Sequence, residues 1–112
     1  MTAVATDSQF GLPDYVVTRL CQVFDRWPEV SAVWLYGSRA MGTFRKASDI
    51  DLCVEADALA VTDLLKIEGE IDDLLLPWKV DLSLWHQIDA PDLRDHIRRV
   101  GVEFCRAGAV GG

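Results

Sequence analysis

Apolar residues recur at two different spacings along this chain, and the changes between them mark out its elements. Val16, Val17, Leu20, Val23, Phe24 and Trp27 follow a helical period between Leu12-Pro13 and Pro28. Pro13 suits a first helical turn, where its missing N–H costs nothing, and Pro28 stops the helix. Val30 to Tyr36 is rich in β-branched and aromatic residues and reads as a strand. Gly37 to Gly42 follows as a turn with a short helix, and Thr43 to Ser48 as a connector. Asp49 to Glu55 alternates: Ile50, Leu52 and Val54 form one face of a second strand, and Asp49, Asp51 and Cys53 form the other. Leu59 to Leu76 is the longest helical pattern; its acids read as a solvated face, and Pro77 ends it. Lys79 to Trp85 alternates again, with Asp81 and Ser83 opposite Val80, Leu82 and Leu84. A short polar helix lies within Ile88 to Val100 with Asp89 or Pro91 near its start, capped by Gly101, and Val102 to Cys105 adds a last strand. The pattern predicts a small α/β (α+β) domain, a short mixed sheet with helices packed on one face and acids on the open face. It spans 12–106, between a loose lead-in at 1–11 and a tail at 107–112.

Composition narrows the class. The 112 residues form one domain, enough to bury roughly 60–70% of the unfolded chain's surface. No run of about 18 apolar residues occurs, so no membrane span is expected, and the start lacks the basic and apolar segments of a signal peptide. Cys21, Cys53 and Cys105 are widely spaced and odd in number, which predicts reduced thiols and a cytoplasmic protein. A net charge of −7 argues against a protein that grips long nucleic acid, whose phosphates call for a basic face. A small nucleotide fits better. His86 and His96 have no ligand partner at zinc spacing and read as structural.

The chemistry concentrates between Val33 and Leu52. Asp49 and Asp51 are two apart on a strand, so both carboxylates leave one face at close range. Like charges so placed need a cation, and hard oxygen ligands favour Mg²⁺ or Mn²⁺. The bland alternative is a solvated acidic edge strand. It must explain two acids on one face of a strand, where Asp is disfavoured, beside a Gly-Ser turn. Gly37 lets backbone approach a ligand closely, and a turn into a helix is an anion site. A phosphate cradle beside a carboxylate pair implies phosphoryl or nucleotidyl transfer.

Gly37-Ser38, the connector from Arg39 to Ser48, and Asp49-Ile50-Asp51 resemble the signature of the polymerase-beta-type nucleotidyltransferase superfamily. Over roughly Leu20 to Arg106 the chain is similar to its smallest branch, the minimal nucleotidyltransferases, which include MntA-type antitoxins acting beside HEPN-domain toxins. The resemblance implies a polymerase-beta-like fold, ATP as substrate and Mg²⁺, two ions in the full arrangement with Mn²⁺ as a substitute. It makes Asp81 the third carboxylate, completing the metal site of Asp49 and Asp51 and helping to deprotonate the attacking hydroxyl. It assigns the β and γ phosphates to Gly37 N–H and Ser38, and the charge on pyrophosphate to Arg39. Met41 departs from the branch's usual second arginine; Arg45 or Lys46 could replace that contact or be solvated loop charges. The implied function is AMP transfer from ATP to a tyrosine of a HEPN-family ribonuclease toxin, in a hetero-oligomer. Two alternatives stand beside it: an antitoxin acting by occlusion alone, and an antibiotic-type enzyme needing a separate acceptor-binding subunit.

Overall fold

The computed structural model describes residues 10–106. In order they form helix α1 (Asp14–Asp25), strand β1 (Ala32–Tyr36), the single-turn helix α2 (Ser38–Met41), strand β2 (Ile50–Glu55), helix α3 (Val61–Asp72), strand β3 (Val80–Leu84), a 3₁₀ turn (Trp85–Gln87), helix α4 (Pro91–Val100) and strand β4 (Val102–Arg106). The strands make one mixed sheet in the order β3-β2-β1-β4. β1 is antiparallel to β2 and β4, and β2 is parallel to β3, with α3 as the crossover between them. The β1–β4 register shifts between Val33 and Trp34, so Val33 faces Cys105 while Trp34 faces Glu103.

The period-two pattern decides which side of the sheet is core. Val33, Leu35, Ile50, Leu52, Val54, Leu82 and Leu84 point to one face, where Val16, Leu20 and Phe24 of α1 and Ile67 and Ile71 of α3 cover them. Arg26 and the Trp27 indole N–H both bond the Glu70 carboxylate, fastening the end of α1 to α3. Local signals place the helix ends: Asp63 accepts the Ala60 N–H at 2.9 Å at the start of α3, and Pro91 opens α4. α3 stops at Asp72, short of Pro77, because Leu75 takes a positive φ of 55°. Phe10 already packs on the core and lies 5.8 Å, centroid to centroid, from the Phe104 ring. The rest of the expected lead-in and the expected tail, residues 1–9 and 107–112, lie outside the described residues.

Two expectations need correction. The second face of the sheet is not bare: Tyr36 and Cys53 are buried there beneath Ile88 and Ile97, with Leu93 and Val100 beside them, so α4 roofs part of it. The cysteines are not all reduced. Cys21 of α1 and Cys105 of β4 form a disulfide with a Cα–Cα distance of 5.6 Å across a sequence separation of 84. Spacing along the chain could not show this, because the pairing is made by α1 lying against the β4 edge. Cys53 is the free cysteine among the described residues, and burial pushes its thiol up to about 12, so it stays a protonated, inert core group. Among the described residues no helix is long and apolar enough to cross a membrane.

The disulfide closes most of the chain into a loop, which constrains the unfolded state. Replacing both cysteines, as Cys21→Ser with Cys105→Ser, or reducing them, should lower stability by about 3–4 kcal/mol. Urea unfolding with and without reductant measures it; an unchanged midpoint would show that the bridge contributes nothing in solution.

Candidate active site

The candidate carboxylates gather where β2 leaves its preceding loop. Asp51 is the second residue of β2, directly opposite Tyr36 at the end of β1 and in register with Asp81 on parallel β3. Adjacent strands lie about 4.8 Å apart, so both acids rise from one patch of the sheet. Asp49 stands just before β2 rather than on it, because pairing begins with Ile50, whose N–H bonds Lys79 O at 2.9 Å. Asp49 and Asp81 are exposed, and Asp51 is half-buried between them.

The electrostatics are unbalanced. Burial raises the Asp51 carboxyl above the ordinary value of 3.8, and the neighbouring charges of Asp81 and then Asp49 raise it further, with His96 opposing. Burial also raises the Tyr36 hydroxyl; a contact with Ser83 Oγ at 3.5 Å opposes this, and Asp51 and Asp81 add to it. Among the described residues neither ion pair, Arg26–Glu70 or Arg99–Asp95, involves the three acids. Nor is any group of three or more described His, Cys, Asp or Glu side chains placed to hold a metal ion by itself. Asp51 with one neighbouring acid is a smaller donor set. It suits a hard divalent cation held by one or two carboxylates with substrate phosphate completing the shell.

Gly37 is tied to this patch by sterics. It sits at φ 74° and ψ −156°, a region glycine alone enters freely, and a Cβ built there would lie 2.4 Å from Asp51 Oδ2. The bare Cα lets a carboxylate press against the turn. Gly37 O accepts the N–H groups of Ala40 and Met41, both at 3.1 Å, which starts α2. Ser38 is half-buried beside it, and its hydroxyl takes no hydrogen-bond partner among the described residues.

Arg39 belongs elsewhere. Its side chain is 2% exposed and donates to Phe10 O at 2.8 Å, to Ser48 O at 3.1 and 2.9 Å, and to Lys46 O at 3.2 Å, with Phe44 stacked on the guanidinium. The expectation that it meets pyrophosphate is corrected: its donors are spent on the loop that delivers Asp49. Arg45 and Lys46 are exposed on the outside of that loop, and Met41 is 49% exposed.

His96 is the site neighbour that sequence reasoning missed. From α4 its Nε2 accepts the Gly37 N–H at 3.3 Å, and its ring meets Tyr36 edge-on with centroids 6.1 Å apart. Gly37 N–H, expected to face phosphate, is therefore engaged by the protein. Nothing in the spacing of His96 signals this, since α4 reaches the turn only by crossing the second face.

The chain belongs to the polymerase beta nucleotidyltransferase family, whose model matches residues 18–107. It is 40% identical over 74 residues to a Haemophilus influenzae protein described as "probable protein adenylyltransferase MntA", covering 62% of this chain. The match spans 61% of that relative's length. Two solved structures share the fold. One, a toxin–antitoxin with AMP-PNP, matches with a TM-score of 0.66 at 23% identity, over 87% of this chain and 76% of that one. The other, a tri-AMPylated Shewanella oneidensis HEPN toxin in complex with an MNT antitoxin, gives 0.62 at 19% identity, over 81% and 70%.

Two variants read this geometry directly. The raised Asp51 carboxyl favours folding only while protonated; that contribution is complete below 3.8 and is lost as pH climbs through the folded-state value. Asp51→Asn should therefore raise the unfolding temperature near neutral pH, with the gain vanishing in acid, as thermal unfolding followed against pH measures. A variant no more stable than wild type at neutral pH would contradict the strained carboxylate cluster. Arg39→Lys keeps the charge but loses the planar fork that meets the Ser48, Phe10 and Lys46 carbonyls from Nε, Nη1 and Nη2, and should cost about 1–3 kcal/mol in urea unfolding; an unchanged midpoint would contradict its role in holding the loop.

Proposed function

We propose that this chain is a divalent-metal-dependent adenylyltransferase and antitoxin, transferring AMP from ATP to a tyrosine of a HEPN-family toxin with which it assembles. The observation that carries the reading is the half-buried Asp51, in register with Asp81 and pressed against a glycine turn, its carboxyl raised by burial first and then by its acidic neighbours. Such a cluster is electrostatically costly unless a cation and a phosphate join it. Family membership supports the nucleotidyl chemistry. The 40% identity to a protein described as an adenylyltransferase supports AMP and a protein acceptor, and the fold shared with toxin–antitoxin structures supports the partner.

In the proposed mechanism Asp49 and Asp51 would hold Mg²⁺, and Asp81 would join them once substrate phosphate is bound. The bound cation would offset charge on the attacking and leaving oxygens of an in-line displacement. Asp81, exposed at the sheet edge, takes the proton from the acceptor tyrosine. The tyrosine oxygen forms its bond to the α-phosphorus of ATP as the bond to the bridging oxygen breaks, and pyrophosphate leaves. Ser38 donates its hydroxyl to the terminal phosphates, while Gly37 contributes the space beside Asp51. Positioning and electrostatics supply the acceleration. ATP as substrate places the work in the cytoplasm. The Cys21–Cys105 bridge is unusual there, and its residues, 3% and 8% exposed, are shielded from solvent thiols.

The test is the intact mass of a co-expressed HEPN-type partner after incubation with this chain, ATP and Mg²⁺. Mass should rise in AMP units on a tyrosine, and Asp49→Asn or Asp51→Asn should cut the rate by roughly 100-fold or more while leaving the fold intact. A tight complex of unchanged mass would overturn transfer in favour of occlusion.

A further inference from the structure

The contact between α4 and the glycine turn is unexplained by packing alone. His96 could have buried its ring against Tyr36 with both nitrogens toward water. Instead Nε2 accepts the amide of Gly37, the residue whose conformation brings the turn against Asp51. The Gly37 peptide is thus fixed at both ends, at its N–H by His96 and at its carbonyl by Ala40 and Met41. The ring is itself held. Tyr36 meets it edge-on, Ile97 beside it is buried under the sheet, and the start of α4 is anchored by Arg94, which donates to Ile88 O at 2.9 Å and stacks on Trp85 at 4.2 Å.

We infer that His96 is a positioning residue for the nucleotide: by accepting the Gly37 N–H it holds the Gly37-Ser38 turn in the shape that receives the triphosphate. The inference rests on reading that turn as the triphosphate cradle, and it adds a residue on a different element, the α4 roof. Glycine at this φ and ψ has many other conformations open to it, so an unpinned turn would have to be ordered by the ligand. Preorganisation transfers that cost from binding to folding. His96 acts through Gly37 and touches no reacting atom.

The test compares Mg²⁺·AMP-PNP affinity by calorimetry for wild type, Asp51→Asn, His96→Phe and His96→Gln. Phenylalanine keeps a ring against Tyr36 and removes the acceptor; glutamine offers an amide oxygen in its place. Wild-type binding that is lost in Asp51→Asn establishes the cradle. Against that baseline His96→Phe should bind about 3- to 10-fold more weakly, the worth of one hydrogen bond, and His96→Gln should recover part of the loss. Without ligand, the Gly37 amide should exchange with deuterium faster in His96→Phe than in wild type. Wild-type affinity in His96→Phe, tighter binding, or unchanged Gly37 exchange would overturn the inference. Failure of wild type itself to bind would overturn the cradle and the inference with it.

Discussion

Like charges crowded beside a glycine set the terms for the rest of this structure. Asp51 is fixed in register between Tyr36 and Asp81, and its Oδ2 occupies the space that any side chain at position 37 would need. Neither contact stabilises the fold by itself. The repulsion is tolerated because strand pairing dictates it: the acids cannot separate without breaking the hydrogen bonds of a sheet whose other face carries the core. The packed core thus backs the face on which the acids crowd.

The elements around the cluster divide the work of holding it. α1 and α3 seal the core face of the sheet. The loop before β2 is drawn together by Arg39, a buried cation whose charge is spread over three backbone carbonyls. Burial lowers its pKa, a penalty that neutral carbonyls offset only in part. α4 closes the second face as far as Cys53 and Tyr36 and stops short of Asp51 and Asp81, which stay within reach of ligand.

The disulfide fastens one edge of the sheet, and α4 covers its two interior strands. Cys21–Cys105 joins the first helix to the last strand, so β4, which pairs with β1 alone, is fixed from outside the sheet as well. β1 is in turn the strand that ends at Tyr36 and delivers Gly37.

Periodicity and punctuation were enough to read the elements. The helical stripe of α1, the alternation of β2 and β3 and the prolines and glycines between them located each segment to within a few residues. The period of two put Asp51 on the strand face opposite Ile50 and Leu52, whereas Asp49 stands just before β2 and is placed by the loop. These are local properties, written in residues near each other in the chain. What tertiary structure alone decided is of another kind. Whether Arg39 faces ligand or loop depends on where its own carbonyl partners are brought. Whether two cysteines meet depends on α1 lying against β4, across 84 positions. His96 reaches Gly37 only because α4 folds back over a face that the strand pattern left open. Local sequence sets which way a side chain points from its own backbone; only the packing of distant elements determines what it meets there.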